Sequence, residues 1–139
     1  MYPQEKQVCS LDQAKKLVKM GVVLETTWMW WDENNMEPYV QIRVPLMSKY
    51  AKFYPAPNVA ELGVLLPKEV FFPCEDRGHY YKSELTCYWF DGYWYADYTK
   101  SGSTESLHTF KAETEAQARA EALIGLLENE QLKPEDLKL

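Results

Sequence analysis

The chain is poor in the residues from which reaction centres are usually built. Its 139 residues include two histidines and three cysteines. Cys9, Cys74 and Cys87 are an odd number at spacings that match no zinc or redox motif, so free thiols in a reducing cytoplasm are expected. No G-x-S-x-G elbow, P-loop or G-x-G-x-x-G stretch occurs. No apolar run approaches the roughly 18 residues needed to span a bilayer. The first seven residues lack the basic start and apolar stretch of a signal peptide. A cytoplasmic protein without a membrane segment is therefore expected. Basic charge is scarce too: 15 Lys and Arg face 21 Asp and Glu, and the net charge is −6. Phosphate-gripping affinity comes from clustered Lys and Arg, so direct nucleic-acid binding is not expected.

What the chain has in quantity is aromatic surface. Phe, Trp and Tyr make up 14% of it, with ten Tyr and five Trp. Apolar residues at 46% and charged residues at 26% are close to globular averages and exclude wholesale disorder. A chain of this length buries roughly two thirds of its unfolded surface, enough for a core without disulfides or metal.

Local signals divide the chain into short elements. Ser10 and Gln13 form a capping box ahead of an amphipathic helix over 11–20, and Gly21 closes it. Residues 25–31 and 39–44 read as two strands of a hairpin across the turn residues Asp32 to Asn35. Trp28 and Trp30 alternate with Met29 and Trp31, so at least one tryptophan should miss the core. Residues 45–57, with three prolines, read as an irregular loop. Asn58 caps a helix over 59–66, 70–72 is a short strand and 73–79 a polar loop. Thr114 and Gln117 begin a last helix over 114–129, whose Ala116, Ala120, Leu123, Ile124 and Leu127 form one apolar stripe. Residues 134–139 read as a surface turn or tail.

The strongest signal is Asp91-Gly92 between two aromatic runs, the preferred type I′ hairpin turn. It sets Phe90 opposite Tyr93, Trp89 opposite Trp94, Tyr88 opposite Tyr95 and Cys87 opposite Ala96. A third strand, 105–110, pairs back after the turn at Ser101–Ser103. Leu85, Cys87, Trp89, Trp94, Ala96 and Tyr98 share the face assigned to the core, with Cys87 buried and unpaired. Tyr88, Phe90, Tyr93 and Tyr95 share the other. These elements predict one α+β domain over 8–130, with extensions at 1–7 and 131–139. Its single antiparallel sheet of hairpins carries the N- and C-terminal helices on one face.

Three stretches in order carry a resemblance. They are Leu11-Asp12-Gln13-Ala14-Lys15-Lys16-Leu17 with Gly21-Val22, then Val59-Ala60-Glu61-Leu62-Gly63 with Leu65-Leu66-Pro67, then Thr114 to Asn129. Spread over residues 8–129 with aromatic strands between them, they resemble small uncharacterised proteins of phages and prophages of gut Bacteroidota. That family has no assigned activity, so the resemblance implies a genomic setting and no site residues.

Candidate chemistry is thin. Cys74 with His79 or His108 is the one nucleophile–base pair worth naming, and Cys74-x4-His79 lacks a second zinc-spaced pair. The carboxylate neighbours Asp32/Glu33 and Glu75/Asp76 sit at loop tips rather than across a cleft. Neither metal nor cofactor is expected. The tyrosines Tyr88, Tyr93 and Tyr95 with Phe90 either line a wet sheet face through cross-strand pairing or form a recognition patch. The function expected is non-catalytic: an accessory protein of phage type that binds another protein through this face. The alternative is an acidic inhibitor that mimics nucleic-acid charge, because residues 113–139 hold seven acids against three bases. A cysteine-dependent enzyme is more distant.

Overall fold

Most of the expected elements are present, with a helix at Pro3–Gln7 and a strand at Phe53–Pro55 besides, while their assembly differs from the single-sheet expectation. The structure is a computed structural model and describes residues 3–32, 36–43, 53–73 and 78–139. In chain order they form helices α1 (Pro3–Gln7) and α2 (Leu11–Lys19), then strands β1 (Trp28–Trp31), β2 (Tyr39–Ile42) and β3 (Phe53–Pro55). Helix α3 (Val59–Leu65) and strands β4 (Glu69–Pro73), β5 (Tyr80–Phe90), β6 (Tyr93–Lys100) and β7 (Ser106–Ala112) follow. Helix α4 (Glu115–Glu128) and a short 3₁₀ turn at Pro134–Asp136 close the fold.

Two antiparallel sheets replace the expected one. The larger has the order β4-β5-β6-β7, the smaller β2-β1-β3. The cause lies in residues 53–55, which the proline count had marked as loop. They pair with β1, setting Met29 opposite Pro55, Trp30 opposite Tyr54 and Trp31 opposite Phe53. Proline is tolerated there because β3 is an edge strand and needs no donor on its outer side. With a partner on each side, β1 has no free edge to offer the larger sheet. The remainder of the expected 45–57 loop, residues 45–52, lies outside the described residues.

The helices are also not side by side on one face. Helix α4 packs on the inner face of β5, β6 and β7, but α2 packs on α4 and on β3. Helix α3 packs on α4 as well, so α4 is covered from both sides. Its sequence allows this. Besides the expected stripe, Ala118, Ala122 and Leu126 form a second one at i, i+4 and i+8, and all three are buried. Small side chains permit close approach: a Cβ on Gly125 would lie 2.4 Å from the Phe110 ring.

Side-chain hydrogen bonds join the layers. Ser10 Oγ accepts from Gln13 N at 3.1 Å and Gln13 Oε1 from Ser10 N at 2.9 Å, the expected capping box. The same Gln13 donates from Nε2 to Gln117 O at 2.9 Å and to Glu121 Oε1 at 2.7 Å, tying α2 to α4. Trp30 Nε1 donates to Cys9 O at 2.8 Å, and Tyr98 Oη donates to Pro67 O at 2.9 Å. Outside residues 8–130, α1 touches α4 and β2, and Leu137 is buried in the core.

Burial shapes the acid–base behaviour of the core. Desolvation pushes the Cys9 thiol and the Tyr98 phenol well above their ordinary values, so both stay protonated at neutral pH.

Candidate functional site

The β5–β6 hairpin takes the register set by its turn. Asp91 (φ 51°) and Gly92 (φ 87°) both adopt the left-handed conformation that a type I′ turn requires. Phe90 faces Tyr93, Trp89 faces Trp94, Tyr88 faces Tyr95 and Cys87 faces Ala96. Alternation then separates the faces. On the inner face Ala96 and Tyr98 are fully buried beneath α4. On the outer face Phe90 is 65% exposed, Tyr93 40% and Tyr88 38%, while Tyr95 is half-buried.

The four residues form a supported cluster. Tyr88 and Tyr95 stack at 5.3 Å between ring centroids with planes 15° apart. Lys111 Nζ sits 3.9 Å from the Tyr93 centroid, a cation–π contact from the neighbouring strand. Below the tyrosine pair lies Asp97, only 3% exposed although it is on the outer face. Its carboxylate accepts from Ser106 Oγ at 2.8 Å, Thr109 Oγ1 at 3.1 Å and Tyr88 Oη at 3.3 Å. Three hydroxyl donors make that buried carboxylate tolerable, and the third anchors the Tyr88 ring. Desolvation first, then the Asp97 carboxylate, raises the Tyr88 phenol above its ordinary value.

Sequence reasoning missed part of this cluster. Trp89 was placed with the core face and is 60% exposed. Burial fades along β5 toward the turn, so the cover given by α4 ends before Trp89. Exposed aromatic surface therefore wraps both sides of the hairpin end. Cys87, expected to be buried, is half-buried and free, with its thiol raised chiefly by desolvation. Asp97 and Lys111 carried a usable signal: both fall on the tyrosine face by alternation and register. The tryptophans of β1 go the other way. Trp30 and Trp31 are buried, and Trp28 packs partly buried against the core.

Most of the catalytic candidates are not among the described residues. Cys74, Glu33, Glu75 and Asp76 lie outside them. His79 is exposed, whereas His108 is half-buried against the rings of Phe110 (4.3 Å) and Phe72 (6.0 Å). Among the described residues no group of three or more His, Cys, Asp or Glu side chains is placed to hold a metal ion. No helix is long and apolar enough to cross a membrane. The acidic C-terminal region engages its own fold: Glu115 lies near Arg119, Glu121 accepts from Gln13, and Glu128 pairs with Lys16 at 2.8 Å.

Comparison of the chain with protein-family models, with curated proteins and with solved structures finds no match.

Proposed function

We propose that this chain is a non-catalytic accessory protein that binds another protein through Tyr88, Phe90, Tyr93 and Tyr95 at the end of the four-stranded sheet. One observation supports this above the rest: large aromatic rings stand exposed on a turn of set register, over a hydrogen-bonded carboxylate that orients Tyr88. Rigid aromatics with a polar tip lose little conformational entropy on binding, which is why such residues dominate recognition surfaces. Trp89 extends the surface round the hairpin edge. The accessory part of the proposal follows the genomic setting implied by the resemblance of residues 8–129 to phage and prophage proteins. Charge mimicry by the C-terminal region has less support, because Glu121 and Glu128 already have partners within the fold.

The test is cross-linked capture in cells of the source organism at low and raised salt. It compares the parent chain with a Phe90→Ser/Tyr93→Ser double variant of matched melting temperature. An aromatic interface retains the same captured protein when salt screens charge and loses it in the variant. Capture that survives the variant, or that vanishes with salt alone, defeats the reading. Concentration-dependent self-association through the tip would do so as well.

A further inference from the structure

Away from the aromatic tip, a groove of about 460 Å³ opens between α3, the β4–β5 ladder and α4. This lies in the size range of small-molecule sites. Its apolar wall is Leu66 and Leu85, and Cys87 adds a thiol that burial keeps protonated. Arg119 also lines the groove, with its side chain only 19% exposed.

Arg119 has a long ion pair to Glu115 on its own helix. Its Nε is buried and has no hydrogen-bond partner among the described residues. The Glu115 carboxylate lies 3.7 Å from Nη2, beyond hydrogen-bond length. With Nε turned inward, the Nη1–Nη2 edge is the part of the donor fork that the groove offers to an acceptor. Gly63 keeps the approach open. It sits inside α3, where glycine is a poorer helix former than alanine, and a Cβ there would lie 3.5 Å from Arg119 Nη1. A longer side chain at this position would lie over the guanidinium.

The charges around the groove limit the ligand further. Lys68, Lys82 and Arg119 face Glu69, Glu84 and Glu115, three charges of each sign, with Glu69 held by Lys82 at 3.2 Å. One added negative charge is met by the guanidinium, while a second would face those carboxylates. Planar two-oxygen groups also match the guanidinium fork best. We propose that this groove binds a small aliphatic monocarboxylate, its carboxylate on Arg119 Nη1 and Nη2 and its chain along Leu66 and Leu85.

The experiment is an NMR titration of the full chain with hexanoate, with its uncharged counterpart hexanamide, and with inorganic phosphate. Hexanoate should shift the Arg119 Nε–H and Gly63 amide signals saturably. Hexanamide should bind about tenfold more weakly or worse, for want of charge-assisted hydrogen bonds, and phosphate more weakly than hexanoate. Arg119→Gln should remove the response. Gly63→Leu should also remove it while leaving the other amide signals in place, and it decides the matter if Arg119→Gln does not fold. Absence of a saturable shift, equal binding of hexanamide, tighter binding of phosphate, or unchanged binding by Gly63→Leu each overturns the proposal.

Discussion

Strand β1 reads Trp-Met-Trp-Trp, and the hairpin end reads Tyr-Trp-Phe across from Tyr-Trp-Tyr. The compositions are nearly alike, yet the first segment is almost wholly buried and the second largely exposed. β1 has a strand on each side, and Trp30 reaches across to the carbonyl of Cys9. The hairpin end lies past the cover of α4, with its outer face open to solvent. Aromatic content therefore says little about burial in this protein; the layer packed above each ring decides it. A buried indole stabilises through area and its single N–H bond, while an exposed ring leaves the same apolar area available to a partner.

This contrast can be broken most directly at Trp30. Trp30→Ala should cost about 3–5 kcal/mol, seen as a large fall in the urea midpoint with the slope preserved. A variant within about 1 kcal/mol of the parent would mean that the small sheet contributes little to the cooperative fold. Next is the seam between α4 and β7. Gly125→Ala places a methyl 2.4 Å from the Phe110 ring, and overpacking of this kind costs about 1–3 kcal/mol. Improved helix propensity returns about 1 kcal/mol of that, so a net loss is expected. Adding Phe110→Leu should recover it, and a double-mutant cycle reads the coupling.

A third measurement sharpens the buried side of the comparison. The folded state raises the Cys9 thiol and the Tyr98 phenol, so it holds protons that the unfolded chain releases. Their contribution to stability is complete below the unfolded values, about 8.5 for the thiol and about 10 for the phenol. It is lost progressively as pH rises above those values toward the folded ones. Stability should fall above about pH 8.5 by up to about 1.4 kcal/mol per pH unit for each group. Denaturation of Cys9→Ala across this range should show a shallower decline; an unchanged slope would contradict the burial of Cys9.

The smallest effect belongs to the exposed tip. Phe90→Ala should change stability by no more than about 0.5 kcal/mol, because the ring is 65% exposed. A loss as large as that of Trp30→Ala would place Phe90 in the core and erase the distinction between the two regions.

Local chemistry along the chain determined the elements and the hairpin register. Caps at Ser10, Asn58 and Thr114 act over three residues, and Asp91-Gly92 sets its register over two. Such features are legible because cause and effect lie within one turn of chain. The candidate cluster was legible to the same depth: alternation placed Tyr88, Phe90, Tyr93 and Tyr95 together. It could not show that Trp89 escapes α4, since a strand does not encode where its cover stops. Only the tertiary structure decided that β3 would claim the free edge of β1, that α4 would be sandwiched, and that Arg119 would stand beside Gly63. Gln13 reaches α4 across 104 residues of sequence. Contacts of that separation depend on which surfaces meet, and burial is a property of the pair rather than of either sequence segment.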